Sequence, residues 1–152
     1  MKPRLDYARA APEVIRAMNT IEQQARRSSL ERPLLELVRM RVSQINGCAY
    51  CLDIHSKEAR EAGETEQRLY VLDAWREAPF YSDRERAALA WAEALTLISR
   101  DHAPDDVYEE ARQQFAEREL VELTLAIVAI NGWNRFAIGF RAAVGGHKAA
   151  AE

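Results

Sequence analysis

The chain has 152 residues, 48% of them hydrophobic and 30% charged, with a formal net charge of −3. That length and balance suit a single domain, spanning residues 1–152, with a sizeable core. No cluster of basic residues favours nucleic acid, since Arg26-Arg27 and Arg39-x-Arg41 are too short to build such a face. The N-terminus shows no hydrophobic leader, and the longest apolar run, Leu123 to Ile130, is too short to span a bilayer. A cytoplasmic protein with neither a membrane nor a nucleic-acid partner is therefore expected.

The chain reads as all-α, with about seven helices and no sustained period-2 run. Pro12 to Arg26 carries an apolar stripe of Val14, Ile15, Met18 and Ile21. Pro33 to Asn46 follows, with proline in its first turn and Leu35, Val38, Val42 and Ile45 facing the core. Cys48 to Ala62 forms a third helix, ended by Gly63, and Thr65 to Ala78 a fourth, stopped by Pro79. Ser82-Asp83-Arg84-Glu85 is a capping box that opens a fifth, running to about Ser99. Pro104 to Phe115 is the sixth. Arg118 to about Val144 is a long seventh, with a bend expected near Gly132. Leu120 to Ile130 leaves this last helix almost no polar face, so it belongs in the core or in a subunit contact.

A faint repeat runs through the pattern. Glu31-Arg32-x-Leu34-x-Glu36-Leu37 returns as Glu117-Arg118-x-Leu120-x-Glu122-Leu123, and Ile45-Asn46-Gly47 as Ile130-Asn131-Gly132. Two related helical hairpins or chance among common helix formers would explain it equally well. In the second copy Trp133 and Phe136 stand where the first has Cys48 and Cys51.

The chemistry concentrates in Cys48-Ala49-Tyr50-Cys51-Leu52-Asp53-Ile54-His55, which holds both cysteines of the chain. On a helix, positions 48, 51 and 55 lie within about 60° of one another. After Asn46-Gly47, Cys48 falls at a helix start and Cys51 in its first turn. Unpaired amides and the positive end of the helix dipole favour a thiolate there. Glu36, beside the apolar stripe of the preceding helix, can orient and charge His55 if the two helices pack antiparallel. A relay from Glu36 through His55 to Cys51 is then chemically sensible. Two cysteines, a histidine and a carboxylate could also hold zinc, but this spacing is unusual for a structural site and no second CxxC exists. Inert buried thiols are the other reading, and for Glu36 it is a helix-surface acid paired with Arg39 or Arg41. Tyr50 is expected to pack, and Asn131, Asn134 and Arg135 either line a pocket or hydrogen-bond a helix bend or a subunit contact.

Glu36, Cys48-x-x-Cys51 and His55, together with Ala74–Ser82, Ala87–Leu95 and Ile130–Phe136, resemble the AhpD-like alkylhydroperoxidases of the carboxymuconolactone decarboxylase superfamily. The resemblance spans roughly residues 10 to 145. It implies an all-α AhpD-like domain that reduces organic hydroperoxides with an external dithiol as reductant. It also implies no cofactor or metal, and a homotrimer or homohexamer. By the same resemblance Cys51 attacks the peroxide and passes through a sulfenic acid. Cys48 resolves it as a disulfide, and Glu36 with His55 relays the proton. The best-known peroxidase members carry a histidine where this chain has Tyr50. A non-catalytic redox-sensing or ligand-binding oligomer, and a diverged lyase of the superfamily, are the alternatives.

Overall fold

The structure, a computed structural model, describes residues 2–145. Among them are nine α-helices and one 3-10 turn. They are α1 (Tyr7–Ala10), α2 (Pro12–Arg26), α3 (Arg32–Asn46), α4 (Ala49–Glu61), α5 (Glu66–Tyr70), the turn Leu72–Ala74, α6 (Asp83–Thr96), α7 (Ile98–Asp101), α8 (Asp105–Gln114) and α9 (Glu117–Phe140). This is the all-α, AhpD-like architecture expected.

Local signals set most of the boundaries. Pro12 and Pro33 sit in first turns, where the missing N–H has no intrahelical partner to lose. Gly47 stops α3 at φ 66°, a left-handed conformation open to glycine. Ser82 and Glu85 close the predicted capping box on α6.

Three helices depart from the expectation. The fourth does not run from Thr65 to Ala78 but splits at Val71 into α5 and the 3-10 turn. Leu69, Leu72 and Trp75 recur every third residue and are all buried, and a three-residue period favours the tighter turn over a continuous α-helix. The fifth ends at Thr96, and Leu97 leads into the short α7. The seventh passes unbroken through Gly132 and ends at Phe140, before Val144. Arg141 takes a left-handed conformation there, and Ala142 N–H closes onto the Ala137 carbonyl. The short α1 was not legible from periodicity; the Asp6 carboxylate caps it by accepting from Arg9 N–H.

Helix α3 is the axis of the molecule, packing on α4, α6 and α9, while α2 lies along α9 and α8 on α6. One side of α3 gives Leu35, Val38 and Val42 to a core shared with Leu123, Ile127, Ile130 and both cysteines. Its other side gives Leu37 and Met40 to a second core with Leu69, Leu72, Trp75 and Leu89. Ile45, expected in the stripe, is only partly buried.

Helix α9 is buried on one face alone. Leu123, Ile127 and Ile130 are enclosed, but Val121 is 71% and Val128 55% exposed. By length and composition α9 is long and apolar enough to cross a membrane. The run Leu123–Ile130 understates it, because Phe136, Ala137, Ile138 and Phe140 continue the apolar character beyond it. The core helix of a soluble protein has the same composition, and the inner face of α9 is core here.

Candidate dithiol site

The break at Gly47 creates the site. It ends α3 and starts α4 one residue later, with Cys48 as the N-cap; the Cys48 sulfur accepts from Cys51 N–H at 3.4 Å. Cys48 N–H returns to the Ser43 carbonyl at 2.9 Å, tying the cap to the end of α3. Both cysteines are free thiols and buried. The predicted placement, Cys48 at the helix start and Cys51 in the first turn, is what the backbone adopts.

The two thiols are linked through one hydrogen bond. The Cys51 thiol donates to the Cys48 sulfur, and this is the main reason the Cys48 thiol drops to about 7. Burial opposes that drop. The backbone amides of Cys51 and Tyr50 and the nearby His55 add to it. Cys51 is pushed up, first by its bond to Cys48 and then by burial, against a hydrogen bond from Asn134 that pulls it down. Of the two thiols, Cys48 is the one lowered and Cys51 the one raised. The two sulfurs face different spaces. Cys51 opens on a cleft of about 230 Å3 with Tyr7, Ile54, His55, Trp133 and Arg26. Cys48 lines a second cleft of about 380 Å3 beside Ala137, Ile138 and Arg141, and Tyr50 borders both.

Beside Cys51, and lining the same cleft through Glu22, Arg26, His55 and Glu58, lies a closed ring of six alternating charges from three helices. Glu36 Oε2 bonds His55 Nδ1 at 3.0 Å, and Glu36 Oε1 accepts from Arg39 Nη1 at 2.6 Å. Arg39 Nη2 donates to Glu22 at 2.9 Å, and Glu22 accepts from Arg26 Nε at 2.8 Å. Arg26 Nη2 donates to Glu58 at 2.9 Å, and Glu58 Oε2 lies 3.1 Å from His55 Nδ1, closing the ring. The antiparallel α3–α4 hairpin thus brings Glu36 and His55 together, as a relay between them requires.

The ring sets the charge of the imidazole. Burial works against a charged ring, yet the hydrogen bonds to Glu36 and Glu58 outweigh it and raise the His55 pKa. Burial likewise pushes Glu58 up, but its bonds from His55 and Arg26 bring it down to about 2. Glu36 is lowered against its burial by His55 and Arg39. Both carboxylates claim Nδ1, so the proton free to move is the one on Nε2. With His55 protonated, three acids balance three bases.

Glu36, His55 and Glu58 bring donor atoms within 4.8 Å of one another, close enough to surround a metal ion. Arg26 and Arg39 already neutralise those carboxylates, so a divalent ion there would have to displace guanidinium contacts, that of Arg39 fully buried. The cysteine sulfurs belong to no such cluster among the described residues.

Sequence patterning alone did not single out Glu22, Arg26 and Glu58, and offered Arg39 only as a surface partner for Glu36. A signal for them existed: each of the three helices carries a charged pair at i, i+3 or i+4, namely Glu22/Arg26, Glu36/Arg39 and His55/Glu58. Such pairs are common on solvated faces, and only the packing of α2, α3 and α4 turns these inward. Asn134, left open between a pocket, a helix bend and a subunit contact, is 1% exposed and bonds Asn46 and Ser43 of α3.

A helical bundle that caps one helix with a free dithiol and backs it with a buried Glu–His pair has the architecture of an AhpD-like protein. Residues 12–94 match the carboxymuconolactone decarboxylase family, and the chain belongs to that family. It is 46% identical over 145 residues to the uncharacterised protein YdfG of Bacillus subtilis, covering 94% of this chain and 99% of that one. It is 36% identical over 112 residues to YnjA of Escherichia coli, also uncharacterised, covering 73% of this chain and 60% of that one. Among solved structures it resembles ATU0492 of Agrobacterium tumefaciens, a protein of unknown function proposed there as an antioxidant defence protein AhpD. The TM-score is 0.93, with 44% identity over 96% of this chain and 100% of that one. The debrominase Bmp8 shares the fold at a TM-score of 0.79 with 21% identity, over 90% of this chain and 74% of that one.

Proposed function

We propose that the protein is a thiol peroxidase that reduces organic hydroperoxides through Cys51 and Cys48. The observation that carries this reading is that Cys51 and His55 open on one cleft, while Cys48 bonds Cys51 from behind. The Cys51 proton passes to Cys48, and the Cys51 thiolate attacks the outer peroxide oxygen. The O–O bond breaks, leaving a sulfenic acid on Cys51 and an alkoxide that takes the Nε2 proton of His55. Cys48 then gives up its proton and attacks the Cys51 sulfur. Hydroxide leaves and is protonated to water, and a disulfide forms. An external dithiol supplies two electrons and two protons to restore both thiols. Family membership and the likeness to the Agrobacterium protein support the same chemistry.

The test is turnover of an organic hydroperoxide with a dithiol donor by the wild type, Cys48→Ser and Cys51→Ser. Both variants should lose at least a hundredfold in turnover. Cys48→Ser should accumulate a trappable sulfenic acid on Cys51. A sulfenic acid trapped only on Cys48, in Cys51→Ser, would reverse the roles. Turnover that survives Cys51→Ser would end the reading.

A further inference from the structure

The two clefts that meet at the dithiol differ in charge. In the first, beside Cys51, Glu22 and Glu58 stand with Arg26 and His55 and bond them within the ring, so the charges neutralise one another. The second, of about 380 Å3, is lined by Cys48 and mostly by apolar groups, among them Ala137, Ile138, Ala142 and Val144. Arg141 is the basic side chain there, and among the described residues no carboxylate lines the wall.

Arg141 is partly buried, and its guanidinium makes no hydrogen bond or ion pair with any other described residue. The carbonyls at the end of α9 that could have claimed it already have donors. Gly139 O accepts from Arg4 Nη1 and Phe140 O from Arg4 N–H, both at 3.0 Å. Ala137 O accepts from Ala142 N–H at 2.9 Å. At the outer end of this segment Asp53 accepts from Gly145 N–H at 3.3 Å, and it is paired with Lys57 at 2.9 Å. A guanidinium stays ionised, and its planar fork of donors fits a carboxylate. Unused donors beside a thiol, in an otherwise apolar cleft, suit an anion with an apolar body.

Reduction of a disulfide brings such an anion, because the attacking species is a thiolate. In the first cleft it would pass the Glu22 and Glu58 carboxylates. In the second it meets Arg141 alone.

We propose that the second cleft admits the reductant, and that it selects a dithiol bearing a carboxylate on an aliphatic body. The carboxylate pairs with Arg141, the body lies against Ile138 and Val144, and a thiolate reaches the Cys48 sulfur. This rests on the reading of the Cys48–Cys51 disulfide as the oxidised state. Each reductant thiol gives its proton to water before it attacks. The first attack forms a mixed disulfide with Cys48 and breaks the bond to Cys51, whose thiolate takes a proton from water. The reductant's second thiolate then attacks its own bound sulfur. The reductant leaves as a cyclic disulfide, and the Cys48 thiolate takes the other proton. The protein gains two electrons and two protons, and the dithiol loses them. Peroxide and reductant therefore use different clefts.

The test needs no peroxide, so its failure is distinct from failure of the peroxidase assay. The disulfide is made with diamide, and its reduction is timed with ω-mercaptohexanoate and with the corresponding amide, which lacks the charge. Arg141→Gln should lower the preference for the carboxylate about fivefold, the upper range of an exposed ion pair. Arg141→Lys should keep most of it. Arg141 has no partner to lose, so both variants should melt with the wild type. Alkylation then locates the effect. In Cys51→Ser, Arg141→Gln should lower the ratio of iodoacetate to iodoacetamide rates at Cys48. In Cys48→Ser, the same substitution should leave that ratio at Cys51 in place. An unchanged preference in Arg141→Gln overturns the proposal. An equal fall in the ratio at both thiols does so too, as does a disulfide that never forms under diamide.

Discussion

Ile45-Asn46-Gly47 and Ile130-Asn131-Gly132 are the same tripeptide, and their asparagines meet side chain to side chain where α3 packs on α9. Beyond the asparagines the two segments diverge. Gly47 turns left-handed, ends its helix and makes Cys48 the cap of the next one. Gly132 stays helical, and α9 runs on to Phe140. A Cβ at Gly47 would meet nothing within 4 Å, whereas one at Gly132 would lie 2.7 Å from Met18 Cε. The first glycine serves the backbone and the second serves the approach of α2. The acids upstream diverge in the same way. Glu36 is fully buried between Arg39 and His55, while Glu122 lies near the surface and accepts from Ser29 and Arg118. One copy of the pattern leads into the cysteine pair and the other does not.

The largest effect should come from the acids. Glu36→Gln keeps the shape but leaves Arg39, 2% exposed at its side chain, short of one carboxylate. A broken buried pair costs roughly 3–5 kcal/mol, and since Glu22 still holds Arg39 the loss should be about 3 kcal/mol by urea unfolding. Glu122→Gln, the equivalent change in the second copy, should leave the unfolding midpoint almost where it was. Equal losses at the two positions would erase the distinction between the copies.

The pH dependence of stability should follow the buried ring. Glu58 is lowered to about 2 and Glu36 is also lowered. Their contribution is present above the ordinary carboxylate value of 4.5 and is lost as pH falls from there toward 2. His55 is raised, so its contribution is complete below its ordinary 6.5 and is lost as pH climbs through the raised value. The thermal midpoint should be highest between about pH 4.5 and 6.5. Glu58→Gln should flatten the acid limb of a melting series, and an acid limb identical to wild type would remove Glu58 from the ring.

The smallest effects separate the glycines. Gly47→Ala forces a side chain into the left-handed region and should cost about 1–2 kcal/mol. Gly47→Asn should cost less, because asparagine tolerates that conformation. Gly132→Ala gains about 1 kcal/mol of helix propensity and loses a similar amount as the flexible tip of Met18 moves aside, so its net change should stay within about 1 kcal/mol. Chemical denaturation of the three variants reads the order. Gly132→Ala falling below Gly47→Ala would mean that α2 cannot yield at Met18.

Much of the site was legible in the sequence. Gly47 announced a helix end, which placed Cys48 at a cap, and the spacing of Cys51 and His55 put both on the same face. Glu36 was legible as an acid beside an apolar stripe. Its partner His55 was legible with it; the inward turn of its other partner, Arg39, was not. Arg39 and Glu58 look like ordinary surface pairs along their own helices, and nothing local says that these faces turn inward. Asn134 was visible as a polar residue in an apolar helix, but its partners Ser43 and Asn46 lie far away in sequence.

What the sequence determined by itself is what acts over a few residues. Proline in first turns, the Ser82–Glu85 box, the left-handed glycine and the cysteine cap each work through backbone bonds inside one turn. They suffice for an all-α chain with a dithiol at a helix start. What only the tertiary structure decided is what depends on how helices cross. The three-residue rhythm of Leu69, Leu72 and Trp75 yielded a 3-10 turn because α3 and α6 offered it a core to fill. The six-charge ring closed because α2, α3 and α4 bring their inner faces together. The opposite shifts of the two thiols draw on both levels. The helix start favours both sulfurs, and the bond that Cys51 donates to Cys48, with Asn134 of α9 pulling the other way, divides them.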